Sequence, residues 1–327
     1  MPGCPAALAV SGGGDSLALV HLFAAWARQH ACPPPVALIV DHGLRAQSHA
    51  EAVLAAQWVK SAGLSAHILT RTGEPPRSNI EDEARQARYR LLGSWCSAHA
   101  VTRLFVAHTS EDQAETFLLR LGRGSGVDGL AGMRADAALP VAGFLGVRVL
   151  RPLLEIGRAE LRAYLKGLGS TWLEDPMNED VRFARVRIRK ALPQLQAVGI
   201  STSRIAEAAH HLARAREALD AATQQFLDRH ARFETEFALL DGTALKEVHR
   251  EIGLRALAAA LMRFSDAAYR PRFERLQALF DAVGSGVNFS GRTLGGCRIG
   301  KAPKARALFG PGTLLIAREG SRRGRAN

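Results

Sequence analysis

The chain has 327 residues, of which 47% are hydrophobic, and these values predict a globular protein of about two domains. No segment reaches the roughly 18 consecutive apolar residues of a membrane span, and the N-terminus lacks the pattern of a signal peptide, so we expect a cytoplasmic protein with no membrane partner. Its 43 Lys and Arg exceed its 31 Asp and Glu, and the net charge of +12 favours a polyanionic partner such as nucleic acid, unless the source proteome is basic throughout.

Cysteine usage indicates a reducing compartment. The four cysteines, Cys4, Cys32, Cys96 and Cys297, are far apart, and no Cys-x-x-Cys pair occurs. This spacing excludes the usual zinc-ribbon and dithiol motifs. The cytosol is therefore the simplest location.

A short glycine-rich segment separates the first predicted strand, Ala6–Val10, from a predicted helix over Leu17–Gln29. Its residues can approach a phosphate closely or donate hydrogen bonds to one: Ser11, Gly12, Gly13, Gly14, Asp15 and Ser16. Backbone N–H groups at the start of the helix would point at the same anion. The segment is neither a Walker A loop, which needs Gly-Lys-Ser/Thr, nor a dinucleotide fingerprint. We predict a phosphate-binding loop; a tight turn without a ligand is the alternative.

The first half of the chain alternates strands and helices. Further strands are predicted over Val36–Val40, Ser65–Thr70, Arg103–Ala107 and Val147–Leu150. Further helices are predicted over Ala50–Ala62, Ile80–Ala100, Ser110–Leu121 and Ile156–Leu168. This α/β alternation predicts a parallel five-stranded sheet with helices on both faces. Ligands bind such sheets beyond the carboxyl ends of the strands, where polar residues follow Val10, Val40 and Ala107.

Asp41 follows the second predicted strand at this edge of the sheet. Its carboxylate could orient a ribose or hold Mg²⁺ beside phosphates, and the nearby Arg45 could contact a phosphate. The alternative is an aspartate that only forms the turn before Gly43.

Three polar residues follow the fourth predicted strand with spacings of four and three: His108, Asp112 and Glu115. On a helix these residues share one face. That face could bind a metal, or Asp112 could set the orientation and pKa of His108 in an acid/base pair. Carboxylates in a first helical turn also cap the helix, which is the alternative.

Two arginine-bearing segments come next. The glycine-rich segment Gly124–Gly129 follows a helix instead of a strand, so we interpret it as an active-site loop that carries Arg123, with a plain linker as the alternative. Further on, Arg182, Arg185 and Arg189 would share one helical face. They could neutralise a triphosphate or a tRNA backbone; a solvated charged helix is the alternative.

The remainder of the chain is predicted to be mainly helical. Helices are expected over Ser203–Arg232, Glu247–Phe264 and Arg272–Val283, and strands over Thr293–Ile299 and Thr313–Arg318. Pro193 and a Gly199/Ser201 break indicate a boundary near 193–202. We therefore predict one domain at 1–195, a smaller, mainly helical domain at 200–320 with a terminal two-stranded element, and a disordered basic tail at 321–327.

The Ser11–Ser16 segment resembles the PP-loop of the N-type ATP pyrophosphatases, a Rossmann-like α/β family. Six further segments follow in order, and the whole set resembles the tRNA(Ile)-lysidine synthetases over residues 6–195. The segments are Val40-Asp-His-Gly-Leu-Arg45, Asn79 to Tyr89, His108 to Thr116, Arg123 to Met133, Arg151-Pro-Leu-Leu154, and Glu174-Asp-Pro-Met-Asn178 with the basic stretch behind it.

The resemblance implies an ATP-dependent ligase that acts on tRNA(Ile) with a CAU anticodon. In this family ATP adenylylates the C2 oxygen of the wobble cytidine and pyrophosphate leaves. The ε-amine of free lysine then displaces AMP and gives lysidine. ATP and Mg²⁺ are the implied cofactors, with Ser11–Ser16 as the phosphate loop and Asp15 as a Mg²⁺ ligand. The resemblance also implies that the predicted domain at 1–195 is catalytic and that the domain at 200–320 binds tRNA.

Candidate site residues are carried over with the matching segments. The catalytic candidates are His108, Asp112, Arg88, Arg185 and Asp41, and the candidates for tRNA contact are Arg123, Arg182 and Arg189. Beyond the matching segments, Arg214 and Arg216 of the basic helical domain are further candidates for tRNA contact. Val186 replaces an asparagine of the family's Arg-Asn-Arg-Ile-Arg, which puts one expected polar contact in doubt. The sequence does not fix the oligomeric state, and a homodimer is compatible with it.

Two other functions remain open from the sequence. A PP-loop tRNA thiolase would use sulfur in place of lysine, but such enzymes commonly carry paired cysteines, which this chain lacks. A non-catalytic nucleotide- or RNA-binding module would need the PP-loop but not His108, Asp112 and Arg185 together.

Overall fold

The computed structural model describes residues 5–43, 46–72, 80–174, 180–265, 271–284, 289 and 291–320. Contacts between residues divide the chain into two compact units, Met1–Ala213 and Arg214–Asn327. None of the helices within the described ranges is both long enough and apolar enough to cross a membrane. The predicted basic tail at 321–327 and Arg45 lie outside the described residues.

The first unit is built on a six-stranded sheet. Its strands are β1 Ala6–Val10, β2 Val36–Asp41, β3 Ala66–Thr70, β4 Arg103–Val106, β5 Asp136–Ala138 and β6 Arg148–Leu150, in the order β3-β2-β1-β4-β6-β5. The five strands predicted from the sequence are confirmed, and they are parallel. The sixth, β5, pairs antiparallel with β6. It was not predicted because three residues, Asp-Ala-Ala, carry no alternating or β-branched pattern.

Helices cover both faces of this sheet, as predicted. They are α1 Gly14–Gln29, α2 Ser48–Ser61, α3 Ile80–Ala98, α4 Ser110–Leu121, α5 Val127–Leu130, α6 Arg158–Gly167 and α7 Ala184–Ala197. One core contains Leu8 of β1 with side chains of α1, α2 and α6. The other contains Ala7 and Ala9 of β1 with Tyr89 and Leu92 of α3. The alternation along β1 follows from the two-residue period of a strand.

The expected chain break at Pro193 is not observed, because α7 continues through Pro193 to Ala197. A helix tolerates an internal proline at the loss of one backbone hydrogen bond. The turn comes at 198–201, where Gly199 has a φ of 88° and Ile200 N–H bonds the carbonyl of Leu195. Glycine is favoured there because helices commonly end in a left-handed residue.

The long helix predicted over 203–232 is confirmed as α8, Thr202–His230, and the division between the two compact units lies inside it. The second unit then adds α9 Gly242–Glu247, α10 Arg250–Met262 and α11 Phe273–Gly284. Its strands are β7 Ala231–Phe233, β8 Phe237–Asp241, β9 Arg292–Leu294, β10 Cys297–Lys301 and β11 Thr313–Arg318. The domain limits at 195, 200 and 320 stay predictions.

The strands of the second unit form one antiparallel sheet in the order β7-β8-β11-β10-β9, larger than the expected two-stranded element. The segment predicted as one strand over 293–299 is two strands, because Gly295 and Gly296 have φ values of 62° and 74° and turn the chain. Two successive left-handed residues are typical of a tight hairpin turn. The core beneath the sheet contains Leu240, Leu257 and Ile299.

Candidate active site

The Ser11–Ser16 loop joins β1 to α1, and Gly12 fixes its path. Gly12 has a φ of 85°, a region that L side chains rarely adopt. A Cβ atom there would lie 2.7 Å from Cδ1 of Leu173. The Gly12 carbonyl also accepts a hydrogen bond from the Leu173 N–H at 3.0 Å. Both the backbone conformation and the available space therefore require glycine.

Hydrogen bonds within the loop hold it while leaving the start of α1 open. The Ser16 hydroxyl donates to the Gly13 carbonyl at 2.8 Å, and its oxygen accepts from the Ser11 N–H at 3.2 Å. Gly13 occupies the N-cap position, and no side chain caps the helix. The first N–H groups of α1 are therefore available to an anion, whose charge the helix dipole favours.

A cleft of about 450 Å³ lies at the carboxyl ends of β1, β2 and β4. Residues of the Ser11–Ser16 loop and residues at the ends of these strands line it. The basic or titratable side chains that line it include Arg88, His108, Arg158 and Arg189. This is the sheet edge at which a parallel α/β fold binds its ligands.

Arg158, the first residue of α6, connects the loop to α4. Its Nε lies 3.2 Å from Oδ2 of Asp15 in the loop. Its Nη2 lies 2.5 Å from Oδ1 of Asp112, and its Nη1 lies 3.1 Å from Oε1 of Glu115. Its backbone N–H donates to the carboxylate of Glu111 at 3.0 Å. One guanidinium thus holds three carboxylates from two separate segments.

Glu115 is fully buried and is shared between two arginines. Its Oε1 accepts from Arg158 and also from Nε of Arg189 on α7, at 3.0 Å. Its Oε2 is buried, and no hydrogen-bond partner is described for it. A buried carboxylate requires such cationic partners because desolvation otherwise disfavours its charge. Arg189, predicted to contact tRNA, is therefore placed in the cleft.

In the cluster around Arg158, the neighbouring charges favour the ionised forms of Asp112 and Arg158. Burial opposes the charge of Asp112, but Arg158 and the Thr109 N–H hold its pKa below the usual range. Burial also opposes the charge of Arg158, yet Asp112, Glu115 and Asp15 raise its pKa. Asp15 differs, because burial raises its pKa despite the contact with Arg158. An additional cation would therefore favour the charged form of Asp15.

Among the described residues no hydrogen bond joins Asp112 to His108, so Asp112 does not orient the ring as expected, although its charge still acts to raise the pKa of His108. Thr109 is the N-cap of α4, so His108 precedes the helix and Asp112 is its third residue. The Asp112 carboxylate accepts a hydrogen bond from the Thr109 N–H at 2.9 Å, as expected for a residue that caps the helix, and it accepts another from Arg158. His108 instead accepts a hydrogen bond at Nδ1 from Nε of Arg151 at 3.1 Å.

Arg88 and Arg185 both contribute positive charge near this cluster. Arg88 on α3 is half-buried, and within the described ranges it has no carboxylate or hydrogen-bond partner. Burial lowers its pKa, and the neighbouring Arg85 lowers it further. Arg185 on α7 lies close enough to Asp112 to help lower the pKa of that carboxyl. An arginine that lines a cleft without a protein anion is suited to an anionic ligand.

Asp41 forms the turn between β2 and α2. Its Oδ1 accepts from the Gly43 N–H at 3.0 Å and from the Ser48 hydroxyl at 2.7 Å, and its Oδ2 lies 3.1 Å from Nδ1 of His49. Burial opposes its charge, but these bonds hold its pKa below the usual range. Both carboxylate oxygens of Asp41 bond residues of this turn, as expected for an aspartate that forms the turn rather than contacts a nucleotide.

The remaining arginines predicted to contact tRNA lie in different environments. Arg123 and Arg214 are exposed. Arg182 is exposed and ion-paired, but it precedes α7 and so shares no helical face with Arg185. Arg216 is only 5% exposed. Its assignment to tRNA contact stays a prediction, which this burial disfavours.

Two arginines that organise the cleft, Arg151 and Arg158, are absent from the candidates predicted by sequence. The available signal was unbalanced charge, because three acidic residues in the first turns of α4 need a basic partner. The sequence does not say which arginine supplies it, since Arg158 is 46 residues away from Asp112 along the chain.

No group of three His, Cys, Asp or Glu side chains in the described part of the chain is arranged to hold a metal ion. The metal interpretation of His108, Asp112 and Glu115 is therefore not supported. Asp15 lines the cleft beside the loop. One carboxylate with phosphate oxygens and water is a usual Mg²⁺ environment, so Asp15 fits the predicted ion.

Sequence comparisons identify relatives over nearly the whole chain. The PP-loop domain family matches residues 4–196. The tRNA(Ile)-lysidine synthase of Wolbachia sp. subsp. Brugia malayi (strain TRS) is 37% identical over 318 residues, which cover 97% of this chain and 71% of that protein. The tRNA(Ile)-lysidine synthase of Ruegeria pomeroyi is 41% identical over 89% of this chain and 68% of its own length. The tRNA(Ile)-lysidine synthase of Methylobacterium nodulans is 39% identical over 88% of this chain and 85% of its own length.

A solved structure supports the fold. The U34-tRNA thiolase NcsA from Methanococcus maripaludis, with its [4Fe-4S] cluster, has a TM-score of 0.53 and 16% sequence identity. The match covers 67% of this chain and 72% of that one. Similarity at this identity shows a shared fold alone, and it confirms the predicted PP-loop α/β architecture.

Proposed function

The chain belongs to the tRNA(Ile)-lysidine synthase family, and from this premise we propose that it is an ATP-dependent ligase that converts a wobble cytidine to lysidine. Its substrates are ATP, free lysine and the tRNA(Ile) that carries a CAU anticodon. We propose that it acts in the cytoplasm. The oligomeric state does not enter the proposal.

The observation that carries the proposal is the arrangement around the cleft. An uncapped helix start and a glycine loop open onto the same cleft as Arg88 and the Arg158 cluster. Backbone N–H groups and arginines together are suited to a triphosphate. Arg158 pairs with both Asp15 in the loop and Asp112 on α4, so it holds the phosphate loop and the α4 residues in position relative to each other.

Two bond exchanges make up the proposed reaction. In the first, the C2 oxygen of cytidine attacks the α-phosphorus of ATP, and the bond to the leaving pyrophosphate breaks. In the second, the ε-amine of lysine attacks C2, and AMP leaves with the former base oxygen. The chain's own contribution is to orient the phosphates and to neutralise the charge that develops on them.

The residues have distinct parts in this scheme. The loop N–H groups and Ser11 hold the leaving pyrophosphate, and Arg88 faces the phosphates from α3. Asp15 would hold Mg²⁺, which supplies further charge neutralisation on the phosphates when bound. Arg185 and the exposed Arg123, Arg182 and Arg214 supply positive charge toward the tRNA backbone.

The thiolase alternative is disfavoured by where the cysteines lie. No cysteine is among the described residues that line the cleft. Cys96 and Cys297 are buried, and burial raises the pKa of the Cys96 thiol to about 11, which makes it a poor nucleophile. Cys4 lies outside the described residues.

The proposal is tested by incorporation of radiolabelled lysine into a tRNA(Ile) transcript with a CAU anticodon. We expect labelling that requires ATP and that disappears when uridine replaces the wobble cytidine. The Asp112→Asn variant, which weakens the tie between α4 and Arg158, should lose turnover while it still binds ATP and tRNA.

Two results would count against the proposal. Sulfur incorporation in place of lysine would favour the thiolase. Binding of ATP and tRNA without any product from the parent protein would favour a non-catalytic module.

A further inference from the structure

The contact between Arg151 and His108 joins two neighbouring strands at the cleft. His108 follows β4, and Arg151 follows β6, which pairs with β4. The Nε of Arg151 lies 3.1 Å from Nδ1 of His108. The Nη1 of Arg151 also donates to the carbonyl of Arg134 at 2.8 Å, so the guanidinium is held from two sides. Arg151 is only 7% exposed, which makes this arrangement part of the interior.

The chemistry of arginine decides which nitrogen of His108 carries the proton. A guanidinium has only N–H donors and no acceptor. The Nδ1 atom must therefore accept with its lone pair, and in a neutral imidazole the hydrogen is then on Nε2. The tautomer of His108 follows from the identity of its partner.

The surroundings of His108 keep the ring neutral. Burial lowers its pKa to about 3, and the positive charges of Arg151 after β6 and of Arg88 and Arg85 on α3 act in the same direction. Asp112 on α4 opposes this shift, but its carboxylate is engaged by Arg158. The ring is therefore an uncharged group among arginines.

The second nitrogen of His108 is available to a ligand. The half-buried ring lines the cleft, and no partner of Nε2 is described among the residues of the structure. Arg88 lines the same cleft, so the local potential favours an anionic oxygen as the acceptor. The phosphate groups of a nucleotide supply such oxygens.

We infer that Arg151 is a positioning residue that fixes His108 as the Nε2–H tautomer, so that His108 donates a hydrogen bond to a phosphate oxygen of the bound nucleotide. The identity of that nucleotide as ATP rests on the proposed function; the tautomer does not. In this arrangement His108 is a hydrogen-bond donor and takes no proton from lysine.

The tautomer is measured in the protein without ligand. Long-range ¹H–¹⁵N correlation spectra of ¹⁵N-histidine-labelled protein distinguish the two neutral tautomers and the protonated ring, and the His108→Gln variant assigns the signal. We expect His108 as the Nε2–H form, unchanged from pH 8 to about pH 5. An Nδ1–H form, or a ring that becomes protonated near neutral pH, overturns the inference without any variant.

The nucleotide contact is measured by adding an ATP analogue with a methylene group between the α- and β-phosphates. We expect the Hε2 and Nε2 signals of His108 to move on saturation while the Nδ1 signal keeps its acceptor character. An analogue that binds without moving these signals contradicts the contact.

Variants separate positioning from folding. Arg151→Met should give a mixture of His108 tautomers and reduce kcat about tenfold or more, with little change in the KM for lysine. Arg151→Lys keeps an N–H donor and should restore the tautomer and part of kcat. The control is Arg148→Met on β6, the strand that precedes Arg151, since Arg148 is exposed and pairs with Asp136.

The outcomes distinguish the two proposals. If the parent protein transfers no lysine but His108 is the Nε2–H tautomer and responds to the analogue, the proposed function fails and this inference holds. If lysine is transferred and Arg151→Met retains both kcat and the parent tautomer, the inference fails and the proposed function holds.

Discussion

Single residues explain how this cleft can hold several carboxylates in a confined space. Arg158 pairs with Asp15, Asp112 and Glu115, and Arg189 adds a second contact to Glu115. Removing Arg158 would leave the buried Asp112 carboxylate without its ion pair and Glu115 with Arg189 alone, and an uncompensated buried charge is strongly destabilising. We therefore expect Arg158 to contribute to folding as well as to the geometry of the site.

The Arg158→Met variant tests this expectation. It should lower the free energy of unfolding by about 3–5 kcal/mol, because Asp112 loses its ion pair and Glu115 keeps only Arg189 while both carboxylates remain buried. Urea unfolding of the purified variant measures the loss. Arg162→Met on the same helix is the matched control, since Arg162 is half exposed and 3.9 Å from Glu174, and it should change stability by only about 0–1 kcal/mol. Equal losses in the two variants would contradict this account.

His108 predicts a dependence of stability on pH. Its folded pKa of about 3 lies below the ordinary value of 6.5, mainly because of burial, so the unfolded chain takes up the proton first as the pH falls. The contribution to stability is complete above pH 6.5 and decreases below it, by up to about 1.4 kcal/mol per pH unit. Unfolding free energies from pH 7 to about pH 5 should fall less steeply for His108→Gln than for the parent. Parallel curves would show that His108 is not held neutral.

At the scale of elements, the sequence predicts what depends on local patterns. The five parallel strands and helices α1 to α4 were predictable because apolar runs alternate with amphipathic segments. The short strand β5 was not, because its pairing with β6 is set by neighbours that are distant along the chain. The hairpin at Gly295 and Gly296 differs from this case, because its glycine pair is a local turn signal. The prediction of one strand over 293–299 gave more weight to the apolar residues on either side of the pair.

The junction of β1 and α1 gives a prediction about the loop. Gly12→Ala should reduce both stability and ATP affinity, because φ is 85° and the new Cβ would meet Leu173 at 2.7 Å. Gly63→Ala is the matched control, since Gly63 has a φ of 91° but open space around its Cβ position. It should show only backbone strain, about 1–2 kcal/mol, with unchanged ATP affinity. Thermal unfolding and calorimetric titration with ATP distinguish the two, and an identical effect of both would contradict the steric argument.

At the scale of the whole molecule, the net charge of +12 predicts binding to tRNA that weakens as salt increases. Arg214 and Arg216 lie two positions apart on α8, one exposed and one buried. Arg214→Ala should weaken tRNA binding and reduce the slope of log K against log salt by about 1, with little change in stability. Arg216→Ala should instead lower stability. A uniform loss of stability in both variants would argue against a tRNA contact at Arg214.

The site was only partly predictable from the sequence. The glycine loop and the acidic start of α4 are contiguous motifs, so their chemistry could be inferred where they occur. The partners that decide their roles are not contiguous: Arg151 reaches His108 across the sheet, and Arg158 reaches Asp15 from α6. Sequence spacing therefore suggested a His108–Asp112 pair, whereas the fold assigns each residue a different arginine.

The central claim is that this cleft uses ATP to activate the oxygen of a base, and an isotope experiment tests it most directly. A tRNA(Ile) transcript with oxygen-18 at C2 of the wobble cytidine is incubated with the protein, ATP and lysine, and the AMP released is analysed by mass spectrometry. If ATP adenylylates the base oxygen, we expect the heavy oxygen in AMP in proportion to the lysidine formed. Lysidine accompanied by unlabelled AMP would contradict adenylylation of the base oxygen.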